Sequence, residues 1–146
     1  VTGGARGLGK SVTEKLLDGG AMAVICDLSK DLLNSVCTEY SERGQTLQVQ
    51  CDGTDYSAVK SLVEKAVKHF GQLDVLLNCA DIVDRFEPVG DVSQDLWEKV
   101  LAVNLTGTFL LCKEVLNHFL SRGATDASIL NIGSLASESG WAAGKL

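Results

Sequence analysis

Short apolar runs alternate along the chain with longer stretches whose apolar residues recur at helical spacing. Behind the opening glycines, Leu8, Val12 and Leu16 share one helical face, and Gly19-Gly20 is a stop signal. AMAVICD, Ala21 to Asp27, then predicts a buried strand. A polar helix follows over about Lys30 to Arg43, then the strand TLQVQCD, then a helix capped by Thr54 or Asp55 and closed by Gly71. DVLLN, Asp74 to Asn78, predicts the next strand, and its loop runs through Pro88. A long helix from about Ser93 to Arg122 leads to a last strand, SILNIG, at Ser128 to Gly133.

Strands alternating with helices of this length build a parallel sheet covered on both faces, because each connection must cross over to start the next strand in the same direction. The predicted class is α/β, a doubly wound parallel sheet of Rossmann type. Such sheets bind ligands at the carboxyl ends of their strands, here Asp27, Asp52, Asn78 to Asp81, and Gly133-Ser134. Only Val1 and Thr2 remain of a first strand that belongs in the middle of that sheet, and no initiator methionine opens the chain. The expectation is therefore a sheet truncated at both ends, an internal piece of a longer protein.

Composition narrows the function. With 146 residues and 45% hydrophobic content, residues 1–146 make one domain with a core. No apolar run approaching about 18 residues is read from the sequence, and no charged-then-apolar leader, so a cytoplasmic protein with no membrane contact is expected. The net charge of -6 and scattered basic residues argue against a nucleic-acid partner. Cys26, Cys37, Cys51, Cys79 and Cys112 form no CxxC and have no nearby histidine pair, so they read as small hydrophobes and no metal site is predicted. His69 and His118 suit structural places on helices, and Trp97 reads as core.

The opening loop spells two phosphate motifs at once. From Gly4, GARGLGKS fits the P-loop pattern, in which Lys10 reaches outer phosphates and Ser11 binds magnesium, with Asp27 available as a metal carboxylate. From Thr2, TGGARGLG is a glycine pattern of dinucleotide binders. Both offer backbone N–H groups and a positive helix end to an anion. Asp27 lies about twenty residues past the glycines, where a carboxylate accepts hydrogen bonds from ribose hydroxyls, and this favours the dinucleotide.

TGGARGLG, Asp27, Asp52 in CDGTD, NCA at Asn78 to Ala80, Val103-Asn104 and NIGS ending at Ser134 together resemble the short-chain dehydrogenase/reductase family. The resemblance runs over essentially the whole chain. It implies an NAD(P)-dependent oxidoreductase that moves a hydride between nicotinamide and a small-molecule carbonyl or secondary alcohol. It further implies that Gly3 allows a tight turn, Gly7 lets the backbone approach the pyrophosphate, Gly9 lets the helix pack close to the sheet, and Arg6 and Leu8 line the loop. Lys10 and Ser11 become a solvated pair on the first helical turn. Asp27 points to NAD, since it would repel the extra phosphate of NADP, and Arg6 is the counter-signal.

By the same resemblance Asp52, with the Gly53 backbone, meets the adenine amino group, and Asn78 and Ala80 line the adenosine ribose. Asn104 becomes the catalytic asparagine whose carbonyl holds a relay water, and Ser134 polarises the substrate oxygen. Without the resemblance, Asp52 and Ser134 read equally as turn residues and Asn104 as a satisfied polar core residue. Leu135, Phe86 and Trp141 are candidate walls of the substrate pocket. The chain departs from the pattern at Asp81, where the family has glycine.

The family's proton-transfer tyrosine, in YxxxK, follows the serine by about thirteen residues, which falls just past Leu146. The YSAVK at Tyr56 to Lys60 matches by coincidence, in the wrong element. The expectation is a chain inactive alone, from a parent that pairs through two long helices into a homo-oligomer. Two readings of other classes stay open, a non-catalytic dinucleotide-binding module and a P-loop NTPase.

Overall fold

The computed structural model describes residues 1–40, 43–84 and 87–135. In chain order the elements are α1 (Gly7–Asp18), β1 (Ala23–Asp27), α2 (Lys30–Tyr40), β2 (Thr46–Gln50), α3 (Tyr56–Phe70), β3 (Val75–Asn78), α4 (Gln94–Leu101), a π-helical stretch Ala102–Gly107, α5 (Thr108–Ser121) and β4 (Ser128–Asn131). The predicted order of strands and helices is present. The strands are shorter than the apolar runs suggested, because their flanking residues turn into loops.

β1 and β2 pair in parallel, Ala23 opposite Thr46 through Asp27 opposite Gln50, and β3 and β4 pair in parallel, Val75 opposite Ser128 through Asn78 opposite Asn131. These are two small sheets. Thr2 joins them, bridging in parallel to Cys26 on one side and to Asn78 on the other. Its N–H donates to Leu77 O at 3.0 Å, while Val1 O accepts from Cys26 N at 3.0 Å. The spatial order is therefore β2, β1, Val1–Thr2, β3, β4, with the predicted central strand present only as this pair of residues.

Alternation along β1 divides the core. Ala23 and Ile25 face α1 and α2 and pack with Leu17, Leu33, Val36 and Tyr40. Cys26 faces the other way, into a cluster with Val59, Leu62, Leu76, Val115 and Phe119 from α3, β3 and α5. Helices thus cover both faces of β1, as a doubly wound arrangement requires.

Local chemistry sets the helix ends. Asp55, not Thr54, caps α3, accepting from Ser57 N at 2.8 Å, and Gly71 ends it at φ 84°. Ser93 caps α4 by accepting from Leu96 N at 3.2 Å. The buried face of α1 is Gly9, Thr13 and Leu17, whereas Leu8, placed on the apolar face by its spacing, is exposed. Thr13 is tolerated inside because its hydroxyl donates to Gly9 O at 2.8 Å.

Two further expectations are corrected. Trp97 is 53% exposed and is not core. The helical stretch Gln94–Ser121, with mean hydropathy 1.2 over its most apolar window, is long and apolar enough by length and composition to cross a membrane. The sequence reading missed it because Lys113 and Glu114 break its contiguous apolar runs without lowering its average much. Leu111, Val115 and Phe119 on this stretch are buried in the core.

Candidate functional site

The carboxyl ends of the strands gather most of the residues singled out from the sequence. The opening loop turns at Gly3 (φ 59°) and again at Gly7 (φ 54°), conformations that favour glycine. A side chain at Gly3 would come within 2.9 Å of Ala80 Cα, so this turn and the segment after β3 lie against each other. A side chain at Gly7 would meet nothing within 4 Å, leaving the start of α1 open. At Gly9 a side chain would collide with Gly3 O, so this glycine lets α1 close onto its own loop rather than onto the sheet. Arg6, at the N-cap of α1, is exposed and its side chain makes no capping hydrogen bond. The unmet N–H groups of the first turn are suited to an anion.

Lys10 leaves this loop. Its Nζ lies 2.7 Å from Glu39 Oε2 on α2, a hydrogen bond that raises the lysine pKa and lowers that of the glutamate. That pairing favours the dinucleotide pattern over the P-loop, which needs this side chain at the phosphates.

Asp27 is half-buried at the end of β1, and its Oδ1 accepts from Ser29 N at 3.0 Å. Cys51 N donates to Asp27 O at 3.1 Å, which brings the end of β2, and Asp52 after it, alongside. Asp52 is exposed and accepts from the Thr54 hydroxyl at 2.7 Å and the Thr54 N–H at 2.9 Å; these bonds hold its carboxyl below the usual range. It shapes the turn before α3, while Gly53 O would sit 3.2 Å from a side chain at Gly107, drawing the π-helical stretch close to that turn. Beneath these carboxylates lie Cys26 and Cys51, both buried; hydrogen bonding to Cys51 and burial push the Cys26 thiol well up.

On the other half of the sheet, Asn78 is buried and donates to Asn131 Oδ1 at 2.9 Å and Cys112 Sγ at 3.4 Å, while its own Oδ1 has no partner among the described residues. Thr2 Oγ1 accepts from both Cys79 N and Ala80 N at 3.1 Å. Asn104 is exposed and belongs to the π-helical stretch. Its amide makes a two-way bond to Ile82, Oδ1 accepting from the N–H at 3.0 Å and Nδ2 donating to the carbonyl at 2.8 Å. Its backbone carbonyl accepts from the Thr108 hydroxyl at 2.9 Å. Asn104 is thus satisfied, but as the anchor of a loop and not inside the core. Ser134 and Leu135 lie exposed beyond β4. Phe86 and Trp141 lie outside the described residues.

The sequence reading placed Thr2 and Asn131 inside motifs without giving their side chains a role, and it did not single out Gly107. Thr2 stood in the quoted glycine motif, but the two N–H groups that donate to its hydroxyl are visible only once β3 lies beside it. Asn131 and Gly107 lie far along the chain from the residues they meet, and no periodicity marks them.

The profile of the short chain dehydrogenases matches residues 1–146. The chain belongs to the short chain dehydrogenase family. A short chain dehydrogenase/reductase of Colletotrichum higginsianum is 48% identical over 145 residues, covering 99% of this chain and 54% of that relative. One of Macrophomina phaseolina is 40% identical over 147 residues, covering 99% of this chain and 84% of that relative. Among solved structures, an NAD+-bound xylitol dehydrogenase superposes with a TM-score of 0.91 at 27% identity, over 97% of this chain and 54% of that one. The chain spans about half the length of several curated relatives, at 54% for the Colletotrichum and Gibberella proteins.

Proposed function

We propose that this short chain dehydrogenase segment, residues 1–146, is a cytoplasmic dinucleotide-binding unit that carries the cofactor half of an NAD(H)-dependent oxidoreductase acting on a small-molecule carbonyl or secondary alcohol. The observation that carries the proposal is the open, uncapped start of α1 beside the Ala80 segment, with Asp27 and Asp52 on one side and Asn104 and Ser134 on the other. Superposition on an NAD+-bound relative supports it.

The residues present fit such a cofactor. The N–H groups around Gly7 and Leu8, with Arg6, would hold the pyrophosphate; Gly3 and Gly9 give the loop its tight course. Asp27 would accept from the adenosine ribose, Asp52 and Gly53 would border the adenine, and Asn78 and Ala80 would line the ribose. A half-buried carboxylate at the end of β1 favours NAD over NADP, because a 2′-phosphate would meet its charge. Bound nicotinamide would supply the hydride chemistry. Ser134 orients the substrate oxygen, and Asn104 holds Ile82 and, through it, the loop beneath the reacting groups.

No tyrosine follows Ser134 in this chain. The proton-transfer residue is therefore not supplied by residues 1–146, and this chain alone is expected to bind cofactor without turnover. Titration with NADH should quench tryptophan fluorescence, and magnesium-ATP should not. NADH-dependent turnover by the chain alone would sink the division of labour, and absence of NADH binding would sink the site. Asp27→Ser should raise affinity for NADPH relative to NADH; an unchanged ratio refutes the NAD preference.

The exposed stripe Leu101, Leu105, Phe109, Leu116 and Leu120 is the self-association face of a homo-oligomer. Leu105→Glu with Leu120→Glu should lower the mass measured by sedimentation. A wild-type chain that stays monomeric at high concentration rejects this face.

A further inference from the structure

We propose that the outer edge of β2 and the flank of α3 form a docking groove for an extended acidic segment of another protein, which adds a strand to the sheet. β2 has one strand partner among the described residues, β1, so its far edge is open. Two hydrogen bonds fix which backbone groups lie on that edge: Ala23 N donates to Gln45 O at 3.0 Å, and Cys51 N donates to Asp27 O at 3.1 Å. In a parallel ladder alternate residues bond to the same neighbour, so Gln45, Leu47, Val49 and Cys51 turn their backbone groups toward β1. The N–H and C=O groups of Thr46, Gln48 and Gln50 therefore point outward, a template for a further strand. The side chains beside them are engaged elsewhere, Gln48 Nε2 donating to Thr46 Oγ1 at 2.8 Å and Gln50 Nε2 to Leu28 O at 3.0 Å.

The edge opens into a groove of about 670 Å³, with Leu47 and Val49 of β2 on one side and Lys65, Lys68 and His69 of α3 on the other. No carboxylate lines it among the described residues, although the whole chain has a net charge of -6. The ion pairs of the described residues are made by Lys10, Arg43 and Arg122, which leaves both groove lysines to a partner's charge. A strand laid on β2 alternates its side chains between the two faces of the sheet, so every second one meets the α3 side. Carboxylates at those positions pair with Lys65 and Lys68, while main-chain bonds to Thr46, Gln48 and Gln50 set the register. A second copy suits the groove less well. Antiparallel pairing of two β2 edges would place two α3 flanks side by side, lysines against lysines.

The test titrates the chain with three labelled peptides of about six residues, an ordinary strand length. One alternates glutamate with valine, one alternates lysine with valine, and one is the acidic peptide methylated at every backbone nitrogen. Only the first should bind, and raising salt should weaken it. Its binding should slow amide exchange at Thr46, Gln48 and Gln50, followed by NMR. Lys65→Glu with Lys68→Glu should weaken the acidic peptide by at least about ten-fold and admit the basic one, with circular dichroism unchanged. Equal binding of the acidic and basic peptides by wild type overturns the acidic partner. Binding of the methylated peptide, or unchanged exchange at the three amides, overturns strand addition. Exchange that slows as protein concentration rises without peptide assigns the edge to a second copy and overturns the proposal. Failure of the acidic peptide to bind also overturns it, and leaves the lysines as guards against edge pairing.

Discussion

The two halves of the sheet are built to different standards. β1 is packed on both faces, with Ile25 fully buried toward α1 and α2 and Cys26 buried toward α3 and α5. β3 buries Leu76 and Leu77 on its two faces and leaves Val75 45% exposed, whereas β4 is open, with Ile129 partly buried on the α5 side and Leu130 and, just past the strand, Ile132 both 47% exposed. The half around β1 is a closed scaffold. The half around β3 and β4 is open at β4, and side-chain hydrogen bonds from Thr2, Asn78 and Asn104 tie its strand ends and the segment after β3.

Replacing core residues tests this contrast most strongly. Ile25→Ala should lower stability by about 2–5 kcal/mol, as for other fully buried aliphatic truncations, whereas Leu130→Ala should cost under about 1 kcal/mol, both read by urea unfolding. Similar losses at the two positions would erase the distinction between the halves. Next in size, Thr2→Val keeps the shape but strips the acceptor from two N–H groups, which should cost about 1–3 kcal/mol and weaken NADH binding. Stability lost with NADH affinity intact would mean that the Ala80 segment does not border the cofactor.

The closed half also carries a pH signature. Burial, followed by the charge of Glu14, pushes the Tyr40 phenol up to about 12. The unfolded phenol loses its proton near pH 10 while the folded one keeps it, so the contribution is complete below that pH and is lost as pH climbs from about 10 to about 12. Tyr40→Phe should flatten this alkaline limb of the unfolding curve. A slope unchanged in the variant would assign it to other groups. The smallest effect is expected from Lys10→Ala, which removes exposed pairs to Glu39 and Glu14. Stability and NADH affinity should both stay at wild-type values, and a loss of nucleotide affinity would revive the P-loop reading of GARGLGKS.

Much of the scaffold was legible because its signals are local. The glycines at 3 and 7, the stop at Gly19-Gly20, the Asp55 and Gly71 caps and the strand-end carboxylates are each set by backbone geometry or by residues a turn apart. Burial was less legible. Leu8 and Trp97 carry apolar patterning yet face outward, since a pattern fixes which side of a helix is apolar but not whether anything lies against it. The membrane-length helix was missed for a related reason, as a count of contiguous apolar residues and an average over a window weigh Lys113 and Glu114 differently.

The order of motifs in the sequence alone determined the parallel α/β arrangement and the family, because crossover connections leave few other ways to bury alternating strands and helices. Only the tertiary structure decided that Thr2 stitches two sheets together and holds Ala80, that Lys10 turns away to Glu39, that Gly9 closes onto Gly3, and that Asn104 clamps Ile82 from within a π-helical stretch. Most of these contacts join residues from about twenty to nearly eighty positions apart, and such pairs acquire a partner only when the sheet brings their strands to one edge.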